Sequence, residues 1–249
     1  MDAWTFFSLT DIMRDRNLLK DTLYVTIKEQ LAMFLHTVGH RPKNRIVKIE
    51  FIRSGETISR YFSTILRAIC AIKNQFVQQA GPDIHPEIAL SPLYFPYFKN
   101  CIGLLDGTHI EAKVPVRIAA RFRGRKGLTQ NVMAAIKPDC RFTYVSASWE
   151  GSANDFTILK HALPLPLLFG LRVEIVLSCC VLHNYILTVD PHDPFLNDES
   201  SVREDDVNYY SQTRSQREHR EESRQWVELR DNIAEEMWQN YSRHTRHSI

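Results

Sequence analysis

Residues 103–115 read GLLDGTHIEAKVP, and the status of Asp106 in this stretch decides how the fold is read. Leu104 and Leu105 precede the acid and Ile110 follows it, so the segment has the pattern of a buried β-strand. A carboxylate taken out of water is costly unless it is paired, hydrogen-bonded or bound to a cation. Asp106 is therefore expected to have a partner. Carboxylates projecting from strand ends are one way a sheet holds a divalent cation, because Mg²⁺ takes oxygen ligands.

The segments downstream support a sheet. Ile102 to Lys113, Leu128 to Lys137 and Arg141 to Ser148 are rich in strand-forming residues, and Pro138 and Asp139 between the last two make a turn dipeptide, which predicts a hairpin. Asn154 or Asp155 can then cap a helix through Phe156, Ile158, Leu159 and Ala162, and a further apolar helix is expected from Val173 to Leu187. Only PLPLLFGLR separates these two helices, which is short for a connection returning to a sheet.

Upstream the periodicity is helical. Ile27, Leu31, Phe34, Leu35 and Val38 share a face, Thr26 and Glu29 form a capping-box pattern, and Gly39 offers a stop. NRIVKIEFI and then SGETISRYFSTILRAICAI follow, with Ser54 and Gly55 between them and Ile58, Phe62, Ile65, Leu66 and Ile69 on one face. This is the outline of a helix-turn-helix, with Thr57, Ser59 and Arg60 placed for base or phosphate contacts; a purely structural three-helix module has the same outline. Pro82, Pro86, Pro92 and Pro96 break any helix and mark a boundary. From Asn197 to Gln225 the chain is densely charged, as in a solvated linker, before Trp226, Leu229, Ile233, Met237 and Tyr241 make an amphipathic stripe. The expected domains are 1–90, 91–195 and 196–249.

Composition narrows the class. A hydrophobic fraction of 44% over 249 residues suffices for a core, and a net charge of +2 announces no nucleic-acid binder on its own, so any such surface is local. Cys70, Cys101, Cys140, Cys179 and Cys180 are odd in number and lack CxxC spacing, which argues against disulfide frameworks and zinc knuckles and for a reducing compartment. With no signal-like N-terminus and no apolar run of spanning length, the expectation is a soluble intracellular protein.

Three sets of residues could carry chemistry. Asp155, in WEGSANDFTIL, is a second acid that only the fold could bring to Asp106; the plain readings are a helix cap and a hydrogen-bonded strand acid. Arg117, Arg121, Arg123, Arg125 and Lys126 make a basic cluster able to hold phosphates, or simply a solvated loop. Cys179, Cys180 and His183 lie in an apolar helix, where core packing is the expected role.

The combination of YFPYFKNCIGLLDGTHIEAKVP, RFRGRKGLTQNVMAAIKPDCRFTYVSASWEGSANDFTIL and IVLSCCVLHNYI closely resembles the PIF/Harbinger transposases and Harbinger transposase-derived nucleases. SGETISRYFSTIL resembles the helix-turn-helix region preceding their catalytic domain, and the likeness covers most of residues 20–195. It implies an α+β chain: an N-terminal helix-turn-helix-like domain, an RNase H-like DDE domain with a mixed sheet, and here a C-terminal helix. It implies Mg²⁺- or Mn²⁺-dependent DNA cleavage in the nucleus, Asp106 and Asp155 as metal-binding acids, and a Myb-like partner protein. The two-metal scheme would activate the attacking water and stabilise the leaving oxygen.

This sequence also departs from the family pattern. The later V-D-x-G-Y and E-R-x-F-G segments, both of which supply acids, are absent, and an internal deletion accounts for their loss. Glu174, Asp190 and Asp193 stand in no matching context. The resulting expectations are a truncated catalytic domain, an exposed sheet edge, and weak or absent nuclease activity.

Overall fold

The computed structural model describes residues 1–124, 127–153, 155, 158, 171–193 and 222–246. It is an α+β structure, and the helices form where local capping chemistry permits. Helix α1 (Ala3–Asp15) begins at Asp2, whose carboxylate accepts the Thr5 N–H at 2.7 Å. Helix α2 (Ile27–His40) starts after the predicted cap, with Thr26 Oγ1 accepting the Glu29 N–H at 3.2 Å. It runs past Gly39, and the chain turns instead at Arg41, which takes a left-handed φ of 50°.

The helix-turn-helix outline is present. Helix α3 (Asn44–Glu50) leads through a short turn into α4 (Gly55–Ala71), where Ser54 Oγ accepts the Thr57 N–H at 3.0 Å. Arg53 fastens this turn to α2: its Nε lies 2.6 Å from Glu29 Oε1, and its Nη2 donates to the Tyr24 carbonyl at 2.7 Å. Ile58, Ile65, Leu66 and Ile69 bury one face of α4, and Phe62 packs on Phe34 of α2 with ring centroids 4.9 Å apart. A short helix α5 (Lys73–Phe76) follows.

The sheet has four strands: β1 (Leu104–Glu111), β2 (Arg123–Gly124, preceded by a 3₁₀ segment at Val116–Phe122), β3 (Gly127–Ile136) and β4 (Phe142–Glu150). Strand β3 pairs with all three others, each time antiparallel. The sheet is thus antiparallel rather than mixed among the described residues. The predicted hairpin joins β3 to β4: Cys140 has a φ of 62°, and the Lys137 N–H meets the Arg141 carbonyl at 2.9 Å.

Strand β1 differs from its reading as a buried element. It pairs with β3 on one side only among the described residues and is exposed along most of its length, with Leu104 at 58% and Ile110 at 42% of full exposure. Its apolar residues sit on an edge that pattern alone cannot tell from a central strand.

Helix α7 (Leu171–Val189) joins the helical and sheet parts. Its Val173, Leu177, Val181 and Tyr185 share one hydrophobic core with Ile65 and Ile69 of α4 and Val145 of β4. Asn184, 1% exposed, is the polar fastening in this core: its Oδ1 accepts the Phe142 N–H at 2.9 Å. Its Nδ2 donates to the carbonyls of Phe142 and Phe76, each at 2.7 Å. Residues Met1–Asp83 and Ile102–Asn197 form one compact unit. Ile84–Cys101 and Asp198–Ile249 form a second, holding α6 (Pro86–Ala89) and α8 (Glu222–Arg246), in which Asn240 Nδ2 donates to the Tyr97 hydroxyl. In α8, Ile233 and Met237 are half-buried while Leu229 and Tyr241 are exposed. No described helix is long and apolar enough to cross a membrane.

Replacing Asn184 with Ala leaves the half-buried Phe142 and Phe76 backbone groups without the side chain that serves them. The expected loss is about 2–4 kcal/mol of unfolding free energy, read as a lower urea midpoint at unchanged m-value.

Candidate functional site

The hydrogen-bond pattern of β1 fixes where Asp106 acts. The Ala112 N–H bonds to the Leu128 carbonyl at 2.8 Å, in the same register as the rest of the β1–β3 ladder. In an antiparallel pair such bonds recur at every second residue. The even-numbered residues of β1 therefore bond to β3, while the amides of Leu105, Gly107, His109 and Glu111 point to the edge that no other described strand pairs with. Asp106 Oδ1 accepts one of these outward amides, the Gly107 N–H, at 2.8 Å. The expectation of a buried acid needing a partner is thus revised: Asp106 is exposed, and its partner in the described structure is the next residue's amide.

Asp155 arrives at the same residue from another direction. A Cβ added to Gly107 would lie 2.4 Å from Asp155 Oδ1, so the carboxylate rests where any other side chain would stand. Asn131 holds it there from β3, its Nδ2 donating to Asp155 Oδ1 at 2.9 Å and to the Ala153 carbonyl at 3.1 Å. Asn131 is 1% exposed, and its Oδ1 has no hydrogen-bond partner among the described residues. The small residues of the turn are also required: a Cβ on Gly151 would fall 2.4 Å from the Thr129 carbonyl oxygen. The Thr129 hydroxyl in turn bonds His109 Nδ1 at 3.1 Å. Gly107, Thr129 and Asn131, which fix this seat, escaped the sequence reading; the signal was three consecutive polar residues, Thr129, Gln130 and Asn131, in a strand where all three are buried.

The structure therefore brings Asp106 and Asp155 together at Gly107, though not as a complete cation cage. Strand alternation sends the Asp106 side chain away from the face on which Asp155 lies. No group of three or more His, Cys, Asp or Glu residues able to hold a metal occurs among the described residues. Asp193 is buried against the Met1 ammonium at 3.0 Å, Asp190 accepts the His192 N–H at 3.3 Å, and Glu174 lies in the first turn of α7. Mg²⁺ demands near-octahedral oxygen ligation, and two acids approaching one glycine from different sides do not fit a two-metal centre.

The basic residues are placed for solvent. Arg117 and Arg123 are exposed, Arg121 pairs with Glu150 from an exposed position, and Arg125 and Lys126 lie outside the described residues. In α4, Ser59 and Arg60 are exposed, and Arg60 lies 3.4 Å from Glu56; the Thr57 hydroxyl is engaged with that of Ser54 at 2.9 Å. Cys179, Cys180 and His183 form no reactive site. Burial pushes the Cys180 thiol up to about 12 and raises that of Cys179, while His183 Nε2 lies 3.0 Å from the Cys140 carbonyl. Asn154 and most of the helix expected after Asp155 lie outside the described residues; Asp155 and Ile158 are helical.

A family match covers the N-terminal part. Residues 1–71 match a family described as a domain of unknown function, DUF8040, which spans α1 to the end of α4. The chain is similar to "Protein ALP1-like" from Arabidopsis thaliana, 36% identical over 66 residues, covering 25% of this chain and 16% of that protein. The match thus spans about a sixth of that relative's length. No solved structure matches.

Gly107→Ala should push Asp155 off its seat and break its bond to Asn131, costing about 1–2 kcal/mol. In an Asp155→Ala background the same substitution should cost little, so a double-mutant cycle by urea denaturation should return a coupling energy of about that size.

Proposed function

We propose that this chain is a nuclease-like, transposase-derived DNA-binding protein of PIF/Harbinger type whose hydrolytic centre is incomplete. The carrying observation is the meeting of Asp106 and Asp155 at Gly107 without a third metal-ligating group among the described residues. These are the two acids that the family resemblance assigns to Mg²⁺ or Mn²⁺. The sequence between Asp155 and Glu174 contains no further acid.

DNA engagement rests on separate features. The α3-turn-α4 module presents Ser59 and Arg60 to solvent beside Thr57, and the segment before β3 presents Arg117 and Arg123. Helix-turn-helix modules place the start of the second helix against base edges and phosphates. Exposed arginines bind phosphate with strong salt dependence. Arg121 contributes less, because Glu150 already offsets its charge. A nuclear location and a Myb-like partner complete the reading as consequences of the family resemblance.

The test combines cutting with binding. Purified chain is incubated with supercoiled plasmid and Mn²⁺ beside Asp106→Asn, and affinity for a short duplex is followed against salt. We expect no cleavage by either protein and salt-dependent binding by both. Replacing Arg117 and Arg123 with Ala should lower the slope of log affinity against log salt by about two, one per lost phosphate contact. Cleavage abolished by Asp106→Asn would overturn the incomplete centre, and absence of DNA binding at low salt would overturn the DNA-binding role.

A further inference from the structure

The outward edge of β1 is built to pair with itself. The amides of Leu105, His109 and Glu111 point away from β3, and Leu104, Leu105 and Ile110 are exposed large apolar residues along the same strand. Such an edge is a template for another strand. We infer that β1 pairs antiparallel with β1 of a second copy of this chain about a two-fold axis at Gly107, joining two sheets into one.

Symmetry and the ladder select this register. A two-fold axis normal to a sheet keeps each face on its own side, so directly opposed residues must have numbers of the same parity. Because the free amides belong to odd-numbered residues, opposed odd-numbered residues exchange the hydrogen bonds, and the axis can pass through a pair of either parity near the middle of the strand. Centring on Asp106 sets the two Asp106 carboxylates against each other, and centring on Thr108 opposes Asp106 to Ile110. Centring on Leu105 opposes Leu104 to Asp106 of the second copy, and centring on His109 opposes Ile110 to Thr108. Centring on Gly107 opposes Leu104 to Ile110 twice and Asp106 to Thr108 twice. Leu104 and Ile110 then meet as apolar neighbours, Leu105 falls opposite His109, and each Asp106 carboxylate, released from the Gly107 amide, faces a hydroxyl donor. Glu111 falls opposite Gly103, so no like charges are opposed along the strands.

The same register brings one repulsion, which makes it testable. Each Asp155 rests over its own Gly107, held by Asn131. The two Gly107 Cα atoms of a hydrogen-bonded pair stand about 5.5 Å apart. The two Asp155 carboxylates therefore lie on one face on either side of the axis and repel, most strongly at low salt.

Sedimentation velocity over roughly 1–200 µM protein tests the pairing. A concentration-dependent dimer is expected, weakened at least tenfold by Leu104→Lys, an exposed change that leaves the core alone. The double variant Leu104→Lys/Ile110→Glu should restore it, since the two new charges face each other across the axis. Asp155→Asn should tighten it severalfold at low salt. A monomer throughout the range, a dimer indifferent to Leu104→Lys, no recovery in the double variant or no effect of Asp155→Asn would overturn the Gly107-centred dimer.

Discussion

Every described strand hangs on β3. Strands β1, β2 and β4 each pair with it, so its ten residues set the register of the whole sheet. They also carry Asn131, whose amide places Asp155, and Thr129, whose hydroxyl steadies His109. The polar run Thr129–Asn131 is buried because β3 is central, and buried polar groups require partners. The Thr129 hydroxyl finds His109 of β1, and the Asn131 amide nitrogen finds Ala153 and Asp155. One strand thereby ties the fold to the candidate site.

The same arrangement explains why the acids meet without completing a metal centre. With β3 on one side and no described strand on the other, β1 leaves Asp106 in solvent, where its carboxylate accepts an edge amide. Asp155 occupies the space that Gly107 leaves empty, on the face of Asn131. Each acid is satisfied by neutral donors, and neither needs a cation to be stable. The helical module depends on other contacts, and α7 with Asn184 binds it to the sheet.

What the sequence disclosed follows from how local each signal is. The Thr26 cap, the Ser54 turn and the Pro138-Asp139 hairpin depend on neighbours within a few residues, and all three form as read. Helix α1 was equally local, since Asp2 caps it, yet its mixed apolar pattern drew no reading. The end of α2 shifted from Gly39 to Arg41 because a left-handed residue is favoured in glycine but not confined to it. The status of β1 was not legible, because GLLDGTHIE reads the same on an edge as in a centre; only the pairing partners decide. Asn131 was hidden for the same reason, since its ligand Asp155 lies across the sheet.

The free edge of β1 is the claim on which the incomplete site and the self-pairing both stand. Amide hydrogen exchange on dilute protein tests it residue by residue. The account predicts slow exchange at Thr108, Ile110 and Ala112, bonded to β3, and fast exchange at Leu105, His109 and Glu111. Protection at all six under dilute conditions would show a further strand seated on β1 and would contradict it.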